Sequence, residues 1–137
     1  MTRMSESTFL PILFAGIVSA AIGFIWYHPR VLGTLWMRHS GITPETVERG
    51  KKRMPAIALI ALLASMPSAY VLNRFGISQG VFDISGAIGL ALLSWAGFVA
   101  PVLLGAVLWE QKSLPYYLIN ALYWLVALIA MSAILIM

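Results

Sequence analysis

The amino-acid sequence predicts an all-α membrane protein that has four transmembrane helices, with a short interfacial helix and a cytoplasmic loop helix between spans one and two. The first observation is composition: 61% of the residues are hydrophobic and 10% are charged, whereas about 25% of the residues of a soluble domain are charged. The second observation is that the charged residues leave four long uncharged runs. Each run has about the 20 residues that a helix needs to cross the hydrocarbon core of a bilayer.

The uncharged runs set the predicted bounds of the spans. They place the spans at about residues 8–27, 54–73, 84–109 and 115–137. Residues 1–137 then form a single four-helix transmembrane domain, in which each helix satisfies its own backbone hydrogen bonds. Arg3 and the apolar residues after it also resemble a cleavable signal peptide. We expect the first span to be retained, because the apolar run continues to an aromatic pair.

The stretch Trp26-Tyr27-His28-Pro29 predicts the end of the first span. Proline disfavours the helical conformation of the residue before it, so the helix should break at His28. Beyond the break, apolar and polar residues separate onto two faces, which predicts a helix over residues 29–37 that lies in the plane of the membrane interface. The residues that we expect at the lipid headgroups are Trp26, Tyr27, His28, Arg30, Trp36, Arg38, Lys51, Lys52 and Arg53.

A second short helix is predicted in the cytoplasmic loop. Gly41 is a stop signal for the interfacial helix, Thr43 is a suitable N-cap, and Pro44 suits the first helical turn. The sequence leaves open whether this helix continues into the second span or ends near Gly50. Pro55 would suit the first turn of a new helix.

Basic residues are distributed unevenly between the loops, and this predicts the orientation of the protein. Six of them lie in the first loop and Lys112 lies in the third, which places seven on one side of the membrane. The other side has two, Arg3 and Arg74, the latter in the predicted loop between spans two and three. Because basic loops stay cytoplasmic, we predict a multi-pass protein of the bacterial inner membrane with both termini outside. The basic residues should also attract anionic lipid headgroups, and we expect no nucleic-acid partner.

Within the spans, the informative residues are polar, small or proline. Asn120 and Tyr123 form the best candidate for a buried polar site, although asparagine in a membrane helix more often joins helices than binds a ligand. Pro67 and Pro101 are candidate kinks, because each leaves a backbone carbonyl without its helical donor. Rows of small residues at four-residue spacing predict close helix packing and a homo-oligomer. These rows include Ala15, Ser19 and Gly23 in the first span and Gly97 and Gly105 in the third.

The sequence offers few groups for chemistry. The absence of Cys excludes disulfides, thiolate catalysis and Cys-ligated metals. No predicted span contains Asp, Glu, Lys, Arg or His, which disfavours an ion-coupled pump. His28 and His39 match no metal-binding spacing, so we expect no metal site and no cofactor, and the pattern assigns no catalytic residue.

Three segments resemble a family of small bacterial four-helix integral membrane proteins that is described only as a domain of unknown function. The segments are WYHPRVLGTLW, TPETVERG and INALYWLVALIAMSAIL. The family's Trp-Tyr-x-Pro break corresponds to Trp26, Tyr27 and Pro29, and its Asn-x-x-Tyr-Trp motif begins at Asn120. His28 stands where we would expect a small residue. The resemblance covers nearly the whole chain and implies the four-helix topology, but it implies no substrate, cofactor or catalytic residue.

Three classes of function remain. We favour an oligomeric membrane-embedded scaffold or binding protein, because it needs no charge inside the membrane. One alternative is a carrier or pore for small solutes formed by an oligomer. The other is an enzyme that acts on a lipidic substrate at the inner membrane surface with His28, His39, Glu45 or Glu110. Dimerisation without a cavity would favour the first class, a continuous polar path the second, and His28 close to Glu110 in a pocket the third.

The orientation can be tested with a reporter that is active only in the cytoplasm. We expect activity when the reporter is inserted near Glu48 and none when it is fused after Met137, because the basic loops stay inside. Activity after Met137 with silence at Glu48 would reverse the orientation. Activity at both positions would require an even number of crossings between them, whereas the prediction has three, spans two to four.

Overall fold

The structure, a computed structural model, describes residues 9–136, and its regular structure in this range is helical. Four helices are long and apolar enough to cross a membrane, at Phe9–Trp26, Met54–Gln79, Ile84–Leu108 and Leu114–Leu135. The predicted all-α membrane fold with four spans is therefore confirmed. In chain order the helices are α1 Phe9–Trp26, α2 Thr34–Ser40, α3 Pro44–Lys51, α4 Met54–Gln79, α5 Ile84–Ser94, α6 Ala100–Leu103, α7 Gly105–Leu108 and α8 Leu114–Leu135. Helices α5 to α7 together make the third span.

Helix α8 lies at the centre of the bundle. In the apolar window of α8, 44% of the residues are buried, compared with 17% to 22% in the other three spans. Helix α1 packs against α4 and α8, and α5 packs against α8. Many of the buried positions at these contacts are small, which lets the helix backbones approach closely. The fully buried alanines are Ala15, Ala69, Ala87, Ala91 and Ala127.

The chain breaks after the first span as predicted. His28 has an extended backbone, with φ −65° and ψ 139°, and its Nδ1 accepts a hydrogen bond from the backbone N–H of Arg30 at 3.1 Å. Pro29 then begins a π-helical turn, Pro29–Gly33, in which the Gly33 N–H donates to the His28 carbonyl at 2.9 Å. Pro29 therefore separates α1 from the next helical segment. At the first position of a helix, its missing N–H costs no hydrogen bond.

Helical structure is present at both places predicted between spans one and two, but the first segment is a π-helical turn followed by α2 and extends to Ser40, beyond the predicted end at residue 37. Helix α2 ends at Gly41, whose φ of 79° favours glycine. The side chain of Thr43 caps α3 by accepting a hydrogen bond from the Thr46 N–H at 3.3 Å. Helix α3 ends at Lys51 and α4 begins at Met54, so the loop helix does not continue into the second span.

The second span is longer than the charge pattern predicts. Helix α4 continues to Gln79, and Arg74, predicted in the following loop, lies inside it. The helix ends where Gly80 adopts a left-handed conformation with φ 68°. A helix can extend past the hydrocarbon core, so a charged residue does not mark its end. The helix satisfies its own backbone hydrogen bonds until it reaches a residue that breaks it. The loop to the third span is correspondingly short.

The two candidate kink positions differ in their local structure. Helix α4 is continuous through Pro67. In the third span, a π-helical turn, Trp95–Val99, precedes Pro101, and the Ala100 N–H donates to the carbonyl of Trp95. Pro101 has no N–H to donate to the carbonyl four residues earlier, and its ring crowds that carbonyl. The proline therefore explains why the helical pitch changes at this point. The helix is interrupted again at Leu104.

The π-helical turn after the first span should require glycine at position 33. A Cβ added to Gly33 would overlap the carbonyl oxygen of Tyr27, whereas one added to Gly50 would meet no neighbouring atom. We therefore expect Gly33→Ala to lower the unfolding free energy by about 2 kcal/mol, within the usual cost of overpacking. The matched variant Gly50→Ala should leave stability equal or slightly higher, because alanine loses less backbone entropy in a helix. Unfolding with sodium dodecyl sulfate in mixed micelles measures both; equal stabilities would show that the turn accommodates a side chain.

Candidate functional site

Polar and aromatic side chains gather at one end of the bundle, where α1 ends and α8 begins. The indole N–H of Trp26 donates to the carbonyl of Ile119 at 2.9 Å. The hydroxyl of Tyr27 donates to Asn120 Oδ1 at 2.5 Å. These two consecutive residues of the first span therefore bind two consecutive residues of α8. The aromatic pair predicted to face lipid headgroups also joins the first helix to the central one.

A second polar contact lies deeper in the bundle. The buried hydroxyl of Tyr123 donates to the carbonyl of Ser19 at 2.9 Å and lies 3.3 Å from Ser19 Oγ. Ser65 Oγ, on α4, is 3.4 Å from the same Ser19 Oγ. A Cβ on Gly23 would come within 3.2 Å of the tyrosine hydroxyl, so a larger residue there would crowd this contact. Ser19 and Gly23, noted as small residues, thus make room for the tyrosine.

The predicted polar pair Asn120 and Tyr123 consists of two residues with separate partners. Asn120 is half-buried and binds Tyr27, whereas Tyr123 is buried and binds Ser19. The amide nitrogen of Asn120 makes no hydrogen bond within residues 9–136. Asn120 is therefore positioned by its oxygen and retains a donor for another molecule.

Trp36 packs against protein in this structure. Its ring lies 5.4 Å from the ring of Tyr27 in an edge-to-face arrangement and 6.5 Å from the ring of Tyr116 in a stacked one, measured between centroids. Its indole N–H is buried and unpartnered within the described chain. The other residues predicted at the headgroups are exposed on the same end of the molecule: His28, Arg30, Arg38, Lys51, Lys52 and Arg53.

Helix α2 is attached to the start of α8 by two polar contacts. Lys112 Nζ donates to the carbonyl of Ser40 at 2.8 Å, at the C-terminal end of α2, where a positive charge is favoured by the helix dipole. Ser113 Oγ is hydrogen-bonded to His39 Nδ1 at 2.9 Å, and it also caps α8 by accepting from the Tyr116 N–H at 3.4 Å. These contacts hold the interfacial helix over the aromatic side chains.

A groove lies between the end of the third span and the first turns of α8. Its volume is about 320 Å³. Two of its apolar lining residues are strongly exposed, Val102 at 72% and Trp109 at 82%. Polar groups of Glu110 and Asn120 lie within the same lining. The groove is lined by Val102, Leu103, Gly105, Ala106, Trp109, Glu110, Tyr116, Tyr117 and Asn120.

Hydrogen bonds from aromatic side chains join the two helices beside the groove. The hydroxyl of Tyr117 donates to the carbonyl of Ala100 at 2.9 Å, and the indole N–H of Trp95 donates to the carbonyl of Ala121 at 2.7 Å. The sequence does not predict these contacts. Aromatic residues near the end of a span suit the membrane interface equally well, and no local pattern identifies their partners.

The residues considered for an enzyme are not assembled into a catalytic arrangement in the described part of the chain. His28 binds its neighbouring backbone and does not line the groove that contains Glu110. The Ser113–His39 distance suits a nucleophile and its base, but no carboxylate of residues 9–136 contacts His39. Across the same residues, no cluster of three His, Asp or Glu side chains is present that could hold a metal ion. The Ser113–His39 contact has a clear structural role at the start of α8.

The chain belongs to a family described as "Protein of unknown function (DUF1761)", whose model matches residues 10–136. This match confirms the family resemblance identified in the sequence. No curated protein and no solved structure matches the chain. The family description assigns no activity, so a functional proposal has to be based on the geometry of the groove and its surroundings.

The bond between Tyr27 and Asn120 should contribute measurably to stability. We expect Tyr27→Phe and Asn120→Leu each to be destabilising and to show a coupling energy of about 0.6 kcal/mol, and at most about 1.7 kcal/mol, in a double-mutant cycle, the mean and the maximum found for side-chain hydrogen bonds in a membrane protein. Unfolding in mixed micelles gives the four free energies. Tyr70→Phe is the control, because Tyr70 is 53% exposed on α4. A coupling energy of zero would mean that this hydrogen bond does not stabilise the bundle.

Proposed function

We propose that this member of the family is a membrane-embedded binding protein that holds one amphipathic, lipid-like molecule in the groove between the third span and α8. The observation that carries the proposal is the groove itself, whose lining combines apolar residues with the polar side chains of Glu110 and Asn120. Its volume of about 320 Å³ falls within the roughly 300–1,000 Å³ typical of small-molecule sites. A molecule with a tail and a polar headgroup matches this division of the lining.

The exposed rim supports entry from the bilayer. Val102 and Trp109 lie at the edge of the groove and are largely uncovered by protein. In a membrane, such an edge contacts lipid, so a lipid-like molecule reaches the groove by lateral diffusion and does not have to cross a layer of protein. A water-soluble ligand would gain little from this exposed apolar surface.

The irregular third span gives further support. It contains a π-helical turn at Trp95–Val99 and an interruption at Leu104, directly before the groove-lining Gly105 and Ala106. Local departures from α-helical geometry occur frequently at functional sites, and irregular backbone within a membrane is tolerated where it lines a cavity. These features suit a helix shaped to form one wall of a binding site.

The opposite wall is held in place before any ligand binds. Asn120 is fixed by Tyr27, and Tyr117 is fixed by its bond to the third span. The residues around the groove therefore need little rearrangement, which lowers the entropy cost of binding. This preorganisation supports a binding role in preference to a conducting one, since a pore requires a water-filled path between its helices.

The surroundings of the groove complete the proposal. With the basic loops in the cytoplasm, both termini are outside and the groove opens at the inner leaflet of the bacterial inner membrane. The exposed basic residues of α3 and of the turn after it then contact anionic headgroups. We also propose a homo-oligomer. Gly23 lies against Tyr123 of the same chain. Gly97, in contrast, is exposed and has open space beside it, which allows another copy to approach closely.

Filling the groove tests the proposal. We expect Ala106→Phe to reduce the occupancy of a co-purified lipid-like adduct about tenfold. The phenylalanine ring would take the place of one well-packed group of the ligand. The matched control is Ala96→Phe, because Ala96 is exposed on the same span and does not line the groove. Native mass spectrometry from gentle detergent measures adduct mass and occupancy, and it also reports the number of chains.

Two results would contradict a binding function at this site. One is an adduct that is retained equally by Ala106→Phe and Ala96→Phe. The other is wild-type protein that carries no adduct and acquires none when a lipid extract is added. Thermal melting of both variants verifies that each remains folded during the comparison.

A further inference from the structure

We propose that the amphipathic ligand carries a positively charged amine or quaternary ammonium headgroup, which Glu110 and Trp109 hold at the mouth of the groove. This inference rests on the proposed function, because it specifies the ligand class of the same groove. The occupant to which it commits is a membrane amphiphile from the inner leaflet. Charge complementarity with the groove is the basis of this assignment.

Glu110 provides the negative charge. It lines the groove and forms no ion pair, whereas Glu48 on α3 is paired with Lys51 at 2.8 Å. Lys112 is close in sequence and could have neutralised Glu110, but it donates instead to the carbonyl of Ser40. The carboxylate is thus left without a cation from residues 9–136, and it is exposed at the groove, where a cationic headgroup can reach it.

Trp109 provides a free aromatic face. Its side chain is 82% exposed and makes no ring contact within the described chain. Tyr116, by comparison, is already stacked with Trp36 and has Lys112 Nζ at 5.5 Å from its ring centroid. Tryptophan is the aromatic side chain that attracts cations most strongly, and quaternary ammonium groups are typically bound by aromatic rings. Trp109 and Glu110 both line the groove, so a ring and a carboxylate border the same cavity.

The remaining lining suits the rest of such a molecule. Leu103 and Ala106 offer apolar surface to an alkyl tail. The amide nitrogen of Asn120 is available to donate to a hydroxyl or ester oxygen between the headgroup and the tail, because its oxygen is engaged by Tyr27. An amphiphile whose headgroup is only anionic would place its charge beside Glu110 and be repelled.

Photo-crosslinking in uncharged maltoside micelles tests this assignment. The probes are two diazirine-bearing molecules with the same alkyl chain, a fatty amine and a fatty alcohol, and labelled peptides are identified by mass spectrometry. We expect the amine to label the groove peptides about tenfold more than the alcohol, since hydrogen bonds to charged groups are worth more than neutral ones. Glu110→Gln should lower amine labelling most of the way to that of the alcohol, because only the contact with Trp109 remains, and Glu45→Gln, which changes an exposed carboxylate on α3, should not.

The possible outcomes separate this inference from the proposed function. Equal labelling of the groove by both probes, unchanged in Glu110→Gln, would overturn the cationic headgroup while supporting a groove that binds amphiphiles. Labelling of the groove by neither probe would overturn both. Excess ethanolamine, an amine without a tail, should leave labelling unchanged; if it abolishes labelling, the ligand is a soluble amine and the assignment to a membrane amphiphile is wrong.

Discussion

The fold depends on the attachment of α8 to the first span by tyrosine hydroxyl groups. Inside a bilayer, apolar surface alone does not draw helices together, because lipid tails are as apolar as leucine side chains. Tyr123 and Tyr27 supply specific contacts, to Ser19 at 2.9 Å and to Asn120 at 2.5 Å. Small residues such as Gly23 leave space for the Tyr123 ring. These contacts define which face of α8 meets α1 and therefore which face is left for the third span.

The groove follows from this arrangement. With one face of α8 held by α1, another face meets the third span, whose helical path is irregular before and after Pro101. Trp95 and Tyr117 bridge the two helices by binding backbone carbonyls. The groove lies beside these bridges and next to the interruption of the third span at Leu104.

Local features of the fold were predictable from the sequence, and long-range ones were not. The break at His28 and the cap at Thr43 each depend on neighbouring residues, and both are present. The end of α4 was misplaced, because Arg74 indicates the end of the uncharged run whereas Gly80 ends the helix. Asn120 is recognisable in the sequence as a polar residue in an apolar run, but no local pattern identifies Tyr27 as its partner. The contact between Ser113 and His39 joins residues from different loops, and no spacing rule connects them.

The position of the polar groups along the bundle is the basis of the proposed ligand class. Glu110 lies two residues after Leu108, the last helical residue of the third span, and Asn120 lies more than one turn inside α8, so the lining changes from charged beyond the helix end to apolar along the third span. A charge placed at this boundary avoids most of the cost of entering hydrocarbon, while an aromatic residue such as Trp109 is favoured there. The same gradient exists in a membrane amphiphile. The headgroup and tail of such an amphiphile can therefore enter the groove without changing their depth in the bilayer. The charged headgroup then stays in contact with water when the molecule binds.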